Sequence, residues 1–188
     1  MAATPSTMVP LGTPAPDFTL PDTVSGRQLS LAELRSDKAT VIMFICNHCP
    51  YVKHVQQELV RLANDYIPKG VSFIAISSND VESYPEDAPD QMKAVAEALG
   101  YPFPYLFDET QEVARAYKAA CTPDIFIYDG EMKLAYRGQL DDSRPGNGIP
   151  VTGRDVRRAL DALLAGQPVD PNQRPSIGCS IKWKPGAG

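Results

Sequence analysis

Two periods of apolar residues divide the middle of the chain into predicted strands and helices. Residues 41–45 form an unbroken, partly β-branched apolar run, which is typical of a strand buried on both faces. After Pro50 the apolar positions follow a helical spacing, which predicts a helix over residues 50–67. A second apolar run at residues 71–77 predicts another buried strand. The centre of the chain is therefore expected to be a strand–helix–strand unit.

The rest of the pattern adds shorter elements on both sides of this unit. They are a short edge strand at residues 15–21 and two further short strands at residues 27–31 and 105–107. Three helices are predicted at residues 90–99, 108–120 and 152–165, and a hairpin at residues 125–136. Ser30 and Glu33 have the spacing of a capping box at the start of a short helix. Helices that alternate with buried strands predict an α/β fold, with a central mixed β-sheet flanked by helices.

The two ends of the chain differ from this central part. We expect residues 1–14 to form a flexible N-terminal arm and residues 15–168 to form the domain. The short strands at residues 15–21 and 27–31 are its N-terminal β extension. Residues 169–188 form a C-terminal tail that contains Cys179. Because this tail holds two isoleucines and the only tryptophan, we expect it to dock on the domain.

Charge and composition narrow the class of protein. The chain has 188 residues and a formal net charge of −5, which argues against nucleic acid or an anionic membrane surface as its main partner. Its first residues have neither a basic region nor an apolar run, so we expect no signal peptide, no membrane-spanning helix and a cytoplasmic location. Four cysteines in such a chain indicate redox-active thiols rather than a disulfide scaffold.

The candidate chemistry lies between the first buried strand and the helix that follows it. Cys46, His48 and Cys49 occur here, and Pro50 suits the first turn of a helix because it has no N–H to leave unpaired. Cys49 is thereby placed at a helix N-terminus, where free amides and the macrodipole lower a thiol pKa. His48 is the nearby side chain that titrates near neutral pH. This arrangement indicates a redox dithiol.

Two other interpretations of the same residues remain open. Cys46 and Cys49 can be inert core thiols, although a Cys-x-x-Cys sequence at a strand-to-helix junction favours redox chemistry. Cys46, His48 and Cys49 can also bind a metal, but a closed zinc site needs four ligands and no second Cys/His cluster follows in the sequence. We therefore expect neither a metal nor an organic cofactor.

Residues 15–165 resemble the thioredoxin superfamily, in its peroxiredoxin-like (AhpC/TSA, redoxin) branch. The resemblance is carried by the strand–Cys–helix unit, by Thr122-Pro123 before a predicted strand, and by the hairpin at residues 129–138. It implies a thioredoxin-like fold. It also implies that Pro123 is the family's cis-proline, and that Thr122, Pro123 and Pro50 contact the substrate.

The resemblance aligns the attacking thiol in two ways. A strand phenylalanine precedes the attacking cysteine of thioredoxins by five residues, and counting from Phe44 gives Cys49. The competing alignment treats Cys46-Asn-His-Cys49 like the Cys-x-His-Cys sequence of disulfide isomerases, so that Cys46 attacks. Pro50 at the helix start favours Cys49. The buried aspartate of thioredoxins corresponds to Met43 and is missing.

The same alignment bears on peroxide chemistry. Peroxiredoxins polarise the peroxide with a threonine and an arginine, whose positions are taken here by Cys46 and Pro123. We therefore expect a thiol–disulfide oxidoreductase that acts on protein or small-molecule disulfides, with a reductant of thioredoxin or glutathione type. The alternatives are a thiol peroxidase, with Cys49 peroxidatic and Cys46 or Cys179 resolving, and a non-catalytic module that binds a metal or a partner.

Three further expectations concern residues outside the dithiol. Cys121 and Cys179 are candidate additional redox thiols, Cys121 because it lies two residues before Pro123. The acidic residues of the loop at 83–90 are expected to be solvated. The sequence gives no oligomeric state.

Overall fold

The computed structural model describes residues 3–186, and within them it has ten strands and five α-helices. The strands are β1 (Ala3–Pro5), β2 (Thr19–Pro21), β3 (Gln28–Ser30), β4 (Ala39–Phe44), β5 (Val71–Ser77), β6 (Tyr105–Phe107), β7 (Cys121–Thr122), β8 (Asp124–Asp129), β9 (Leu134–Gly138) and β10 (Ile177–Ser180). The helices are α1 (Leu31–Leu34), α2 (Pro50–Tyr66), α3 (Pro89–Leu99), α4 (Glu112–Tyr117) and α5 (Arg154–Leu164). None of these helices is long and apolar enough to cross a membrane.

The predicted mixed sheet is confirmed, and its strand order is β6-β5-β4-β8-β9. β4, β5 and β6 run parallel, whereas β8 is antiparallel to β4 and to β9. β4 is the central strand and every residue in it is buried. The unbroken apolar run in the sequence therefore reflects a strand with a core on each face.

Alternate residues of β4 supply these two cores. Val41 and Met43 pack with α2, α3 and α5 on one face. Ile42 and Phe44 pack on the other face with α1, α4 and the β2–β3 pair, which is the predicted N-terminal β extension. The capping box at α1 is also confirmed. Because the carboxyl end of β4 runs directly into the loop before α2, both cores fix the position of that loop.

One predicted helix is shorter than expected. The sequence predicts a helix over residues 108–120, but α4 covers only Glu112–Tyr117. The Asp108 carboxylate accepts hydrogen bonds from the amides of Val113 (3.3 Å) and Ala114 (2.9 Å), and Gln111 takes a left-handed conformation. Because the Asp108 side chain pairs with free amides at the start of α4, the residues between Asp108 and Glu112 form a turn, and the helix begins at Glu112 and not at residue 108.

The two ends of the described chain meet in a second sheet of order β1-β10-β7. The tail docks as expected, and its strand β10 pairs antiparallel with both neighbours. Residues 3–5, which were expected to belong to a flexible arm, instead form β1 and pair with residues 177–179. The sequence did not suggest this pairing because the arm has no alternating apolar pattern. The boundaries of the domain and tail stay a prediction.

A buried ion pair supports the segment that joins β7 to β8. Arg137 of β9 donates to the Asp124 carboxylate at 2.8 Å, and neither side chain has exposed surface. Asp124 also accepts a hydrogen bond from the Ala120 amide at 3.0 Å. The guanidinium lies over the ring of Phe126, 4.3 Å from its centre. The β7–β8 segment is thus held by charge as well as by strand pairing.

Candidate active site

Cys49 is the N-cap residue of α2, with Pro50 in the first turn. Its carbonyl oxygen accepts the amide hydrogen bonds of Val52 (3.1 Å) and Lys53 (3.0 Å), so the sulfur lies where the helix presents free amides. Cys46 follows the end of β4 and reaches the same region from the strand side. The junction that the sequence predicted is therefore formed, with both sulfurs buried.

Thr122 contacts both thiols. The Thr122–Pro123 peptide bond is cis, as the resemblance implied. The Cys49 Sγ lies 3.4 Å from the Thr122 carbonyl oxygen, and the Cys46 Sγ lies 3.6 Å from the Thr122 Oγ1. A single residue beside the cis-proline thus places its backbone on one sulfur and its side chain on the other.

The two thiols have opposite pKa shifts. The pKa of Cys49 is lowered to about 5, chiefly because the Cys46 thiol donates a hydrogen bond to its thiolate, with further hydrogen bonds from Cys179 and Thr122. The pKa of Cys46 is raised, first by that same hydrogen bond and then by burial. The negative charge therefore resides on Cys49, and Cys46 is a neutral donor. This order favours Cys49 as the attacking thiol.

Asp87 is a site residue that the sequence analysis missed. It was expected in a solvated loop, but its side chain has no exposed surface. One carboxylate oxygen accepts from the backbone amides of Asn47 (2.8 Å) and His48 (3.2 Å), and the other accepts from the Asn79 side chain (3.0 Å). The neighbours Glu86 and Asp90 are exposed and carry the same charge, so nothing in the sequence distinguishes Asp87 from them.

His48 is fixed between Asp87 and Tyr84. Its Nδ1 lies 2.5 Å from Asp87 Oδ2, and its ring stacks on Tyr84 with centres 5.2 Å apart and planes at 14°. The Nε2 is buried and has no hydrogen-bond partner among the described residues 3–186. A ring nitrogen of His48, an Asp87 oxygen and the Cys46 sulfur all lie within 4.8 Å of one another.

This group of donors differs from the one that the sequence suggested for a metal. The cluster within 4.8 Å consists of Cys46, His48 and Asp87, whereas the sequence suggested Cys46, His48 and Cys49. Thiol, imidazole and carboxylate can supply three ligands to a divalent cation. The same three groups can also move a proton from Cys46 to an imidazole whose positive charge is stabilised by the carboxylate.

The other two cysteines lie in the second sheet, Cys121 in β7 and Cys179 in β10. The Cys121 Sγ points towards the carbonyl oxygens of Pro123 (3.7 Å) and Ser176 (4.0 Å), and burial raises its pKa. Cys179 pairs directly with Thr122 in the second sheet. Its pKa is raised to about 12, by burial and then by its hydrogen bond to Cys49. Cys179 is therefore part of the thiol cluster, while the Cys121 sulfur faces backbone oxygens.

Comparison with known structures shows what the fold of this chain is similar to. A solved structure of an uncharacterized conserved protein from Geobacillus kaustophilus is 69% identical, with a TM-score of 0.98 over 100% of this chain and 99% of that one. The thiol:disulfide interchange protein of the thioredoxin family from Chlorobium tepidum is 20% identical and has a TM-score of 0.63, over 84% of this chain and 99% of that one, which shows a thioredoxin-like fold.

Sequence comparison gives the family. The thiol-disulfide oxidoreductase ResA of Geobacillus kaustophilus is 25% identical over 162 residues, which are 85% of this chain and 82% of that protein. Residues 11–137 match the AhpC/TSA family, which is more than half of the chain. The protein belongs to the AhpC/TSA family.

Proposed function

We propose that this protein is a thiol–disulfide oxidoreductase that reduces or exchanges disulfides through Cys46 and Cys49. The observation that carries the proposal is the placement of two buried thiols at the N-terminus of α2, both in contact with Thr122 beside the cis-proline. In this setting the pKa of Cys49 is lowered and that of Cys46 is raised. Such a pair can attack a disulfide and then close into an internal disulfide. The similarity to a thiol-disulfide oxidoreductase over most of the chain supports this reaction class.

The first step is attack by the Cys49 thiolate on a substrate disulfide. A bond forms between Cys49 and one substrate sulfur, the substrate S–S bond breaks, and the second substrate sulfur leaves as a thiolate. Cys49 loses its negative charge in this step. The largest cause of the raised pKa of Cys46 is its hydrogen bond to that charge, so the pKa of Cys46 falls once the mixed disulfide has formed.

The second step is attack by Cys46 on the Cys49 sulfur. The Cys46 proton passes to His48, whose positive charge Asp87 stabilises through the contact at 2.5 Å. A Cys46–Cys49 disulfide forms and the substrate leaves as its second thiolate. The protein has then lost two electrons to the substrate, and an external thiol of thioredoxin or glutathione type returns them.

Three residues that do not react complete the site. Pro50 has no N–H that would need a partner in the first turn of α2, so the helix can begin directly after Cys49. Thr122 and Pro123 form the wall opposite both sulfurs, and their backbone meets an incoming sulfur beside Cys49. We assign these residues to substrate positioning.

A thiol peroxidase is the competing function, and one experiment separates the two. The protein is purified anaerobically, equilibrated in glutathione buffers of graded potential, alkylated and mapped by mass spectrometry. A Cys46–Cys49 disulfide that forms and disappears reversibly is expected. The proposal fails if Cys46 and Cys49 stay reduced across the series while hydrogen peroxide converts Cys49 to a sulfenic acid that a dimedone probe traps.

A further inference from the structure

The Cys49 sulfur is enclosed by groups from three parts of the chain. Cys49 has no exposed surface, and Cys46 and Cys179 are 2% and 1% exposed. Cys46 follows β4 of the central sheet, and Thr122 of β7 leads through Pro123 into β8 of that sheet. Cys179 lies in β10, which among the described strands pairs with β1 and β7 of the second sheet. The Cys49 sulfur has to attack a substrate disulfide along the axis of the S–S bond that breaks. The substrate sulfur must therefore take the position of one of the three groups around Cys49. Departure of Cys179 together with β10 leaves every strand of the central sheet in place.

β10 has the geometry of a bound peptide. It is extended and pairs antiparallel with β7, with Cys179 opposite Thr122 and Ser180 opposite Cys121. This pairing puts Cys179 opposite the residue whose carbonyl oxygen lies 3.4 Å from the Cys49 sulfur. An extended segment that adds to a sheet edge takes its affinity from main-chain hydrogen bonds and its specificity from the side chains at alternate positions.

Gly178 lets β10 lie this close to Thr122. A Cβ atom at position 178 would lie 1.9 Å from the Thr122 carbonyl oxygen, which is backbone and cannot move aside like a flexible side chain. The residue before the cysteine in any segment that pairs here must therefore be glycine, or the segment must sit further from Thr122. The close approach gives the site a sequence preference.

We propose that β10 occupies the place of the substrate segment and that Cys179 exchanges disulfides with Cys49. The proposal rests on the proposed function and gives it a substrate class, namely a disulfide in an extended polypeptide segment with glycine before the cysteine. Such a segment replaces β10 on Thr122, and the contacts that hold β10 oppose this replacement. Ser176 contributes two of them, because its hydroxyl donates to the Pro123 carbonyl oxygen (2.6 Å) and its amide donates to Ser6 Oγ (2.9 Å).

The exchange conserves electrons and protons. When Cys49 carries a mixed disulfide with a substrate sulfur, the substrate segment leaves Thr122 and β10 pairs there again. The Cys179 sulfur then gives up its proton and attacks the Cys49 sulfur from the side opposite the substrate sulfur. A Cys49–Cys179 bond forms, the Cys49–substrate bond breaks, and the substrate leaves as a thiolate that takes the proton. Cys46 can then attack Cys49, which moves the disulfide to Cys46–Cys49 and returns Cys179 to a thiol without further oxidation.

The first test maps disulfides in the full chain carrying Cys46→Ala. After one equivalent of oxidised glutathione, a Cys49–Cys179 disulfide is expected, and it should persist when Cys121→Ser is added as a control. Cys49 that stays glutathionylated beside a free Cys179 thiol would overturn the proposal while leaving the oxidoreductase function standing. If Cys49 of the unaltered protein also fails to react with oxidised glutathione, the proposed function itself is wrong.

The second test addresses the substrate segment and does not depend on a variant folding. Two peptides, Ser-Ile-Gly-Cys-Ser-Ile and the same peptide with valine in place of glycine, are supplied as mixed disulfides with glutathione to the unaltered protein. The glycine peptide should be reduced about tenfold faster, a difference in kcat/KM. Equal rates for the two peptides would contradict the assignment of β10 to the substrate position.

Discussion

His48 is fixed to Asp87 twice, through its ring and through its backbone. The ring Nδ1 lies 2.5 Å from one carboxylate oxygen, and the His48 amide donates to the other at 3.2 Å. Both side chains are largely or fully buried, at 12% and 0% exposure. A histidine held in this way keeps one orientation towards Cys46, and a positive charge on it has a carboxylate beside it.

Replacing Asp87 should slow the second step of the reaction and leave the first unchanged. We expect Asp87→Asn to slow attack by Cys46 roughly 10²-fold, because the imidazole loses the group that stabilises its charge. The mixed disulfide on Cys49 should then accumulate in a stopped-flow experiment followed by acid quench and mass spectrometry.

The control for this prediction is Asp90→Asn. Asp90 is exposed in the first turn of α3, three residues after Asp87, and among the hydrogen bonds described it accepts one only from the next residue's amide. It should keep both rates. A purely structural role for Asp87 would be indicated if the asparagine variant slowed both steps equally.

Removing the Cys46 thiol should raise the pKa of Cys49. The hydrogen bond from Cys46 is the largest cause of the lowered pKa of Cys49, about 5. Cys46→Ala should therefore move the titration midpoint of Cys49 towards the ordinary thiol pKa of about 8.5. In the unaltered protein the thiolate forms as the pH rises through about 5, so attack is already near its maximum at neutral pH. In the variant the thiolate should form at a higher pH.

The ultraviolet absorbance of the thiolate, titrated in both proteins, measures this shift. Cys121→Ser serves as the matched control, since the Cys121 sulfur faces backbone oxygens. Identical midpoints in the unaltered protein and the Cys46→Ala variant would show that the thiol pair is not coupled as described.

Breaking the buried ion pair of Arg137 and Asp124 should cost considerable stability. Arg137→Ala leaves a carboxylate buried without its partner, which typically costs about 3–5 kcal/mol in the free energy of unfolding. Arg154→Ala is the matched control, because that guanidinium is 57% exposed and its ion pairs should contribute under about 1 kcal/mol. Urea unfolding of both variants gives the comparison, and a loss below about 1 kcal/mol for Arg137→Ala would contradict the prediction.

The sequence was sufficient for the central sheet and for the position of the dithiol. Apolar runs with a strand period and a helix period are local signals, and both belong to the segments that form β4 and α2. Pro50 marked the helix start for a steric reason that does not depend on the rest of the fold. The placement of Cys49 followed from these local features alone.

The sequence was insufficient where a residue's environment comes from distant parts of the chain. Asp87 is buried because amides from the Cys46–Cys49 loop converge on it, and no neighbour in its own segment reveals this. The pairing of residues 3–5 with the tail is likewise a long-range contact between segments of weak local preference. The Arg137–Asp124 ion pair joins β8 and β9 at the two positions just outside the predicted hairpin of residues 125–136. Nothing local in the sequence shows that these two charges are buried and paired.

The second sheet joins residue 3 to residue 179 directly over the reactive sulfur. The segment that contains Cys49 is therefore synthesised long before the strand that covers it. A nascent chain can complete β4, α2 and β5 while Cys49 is still open to other thiols in its surroundings. Shielding of the sulfur therefore has to wait until β10 has been synthesised.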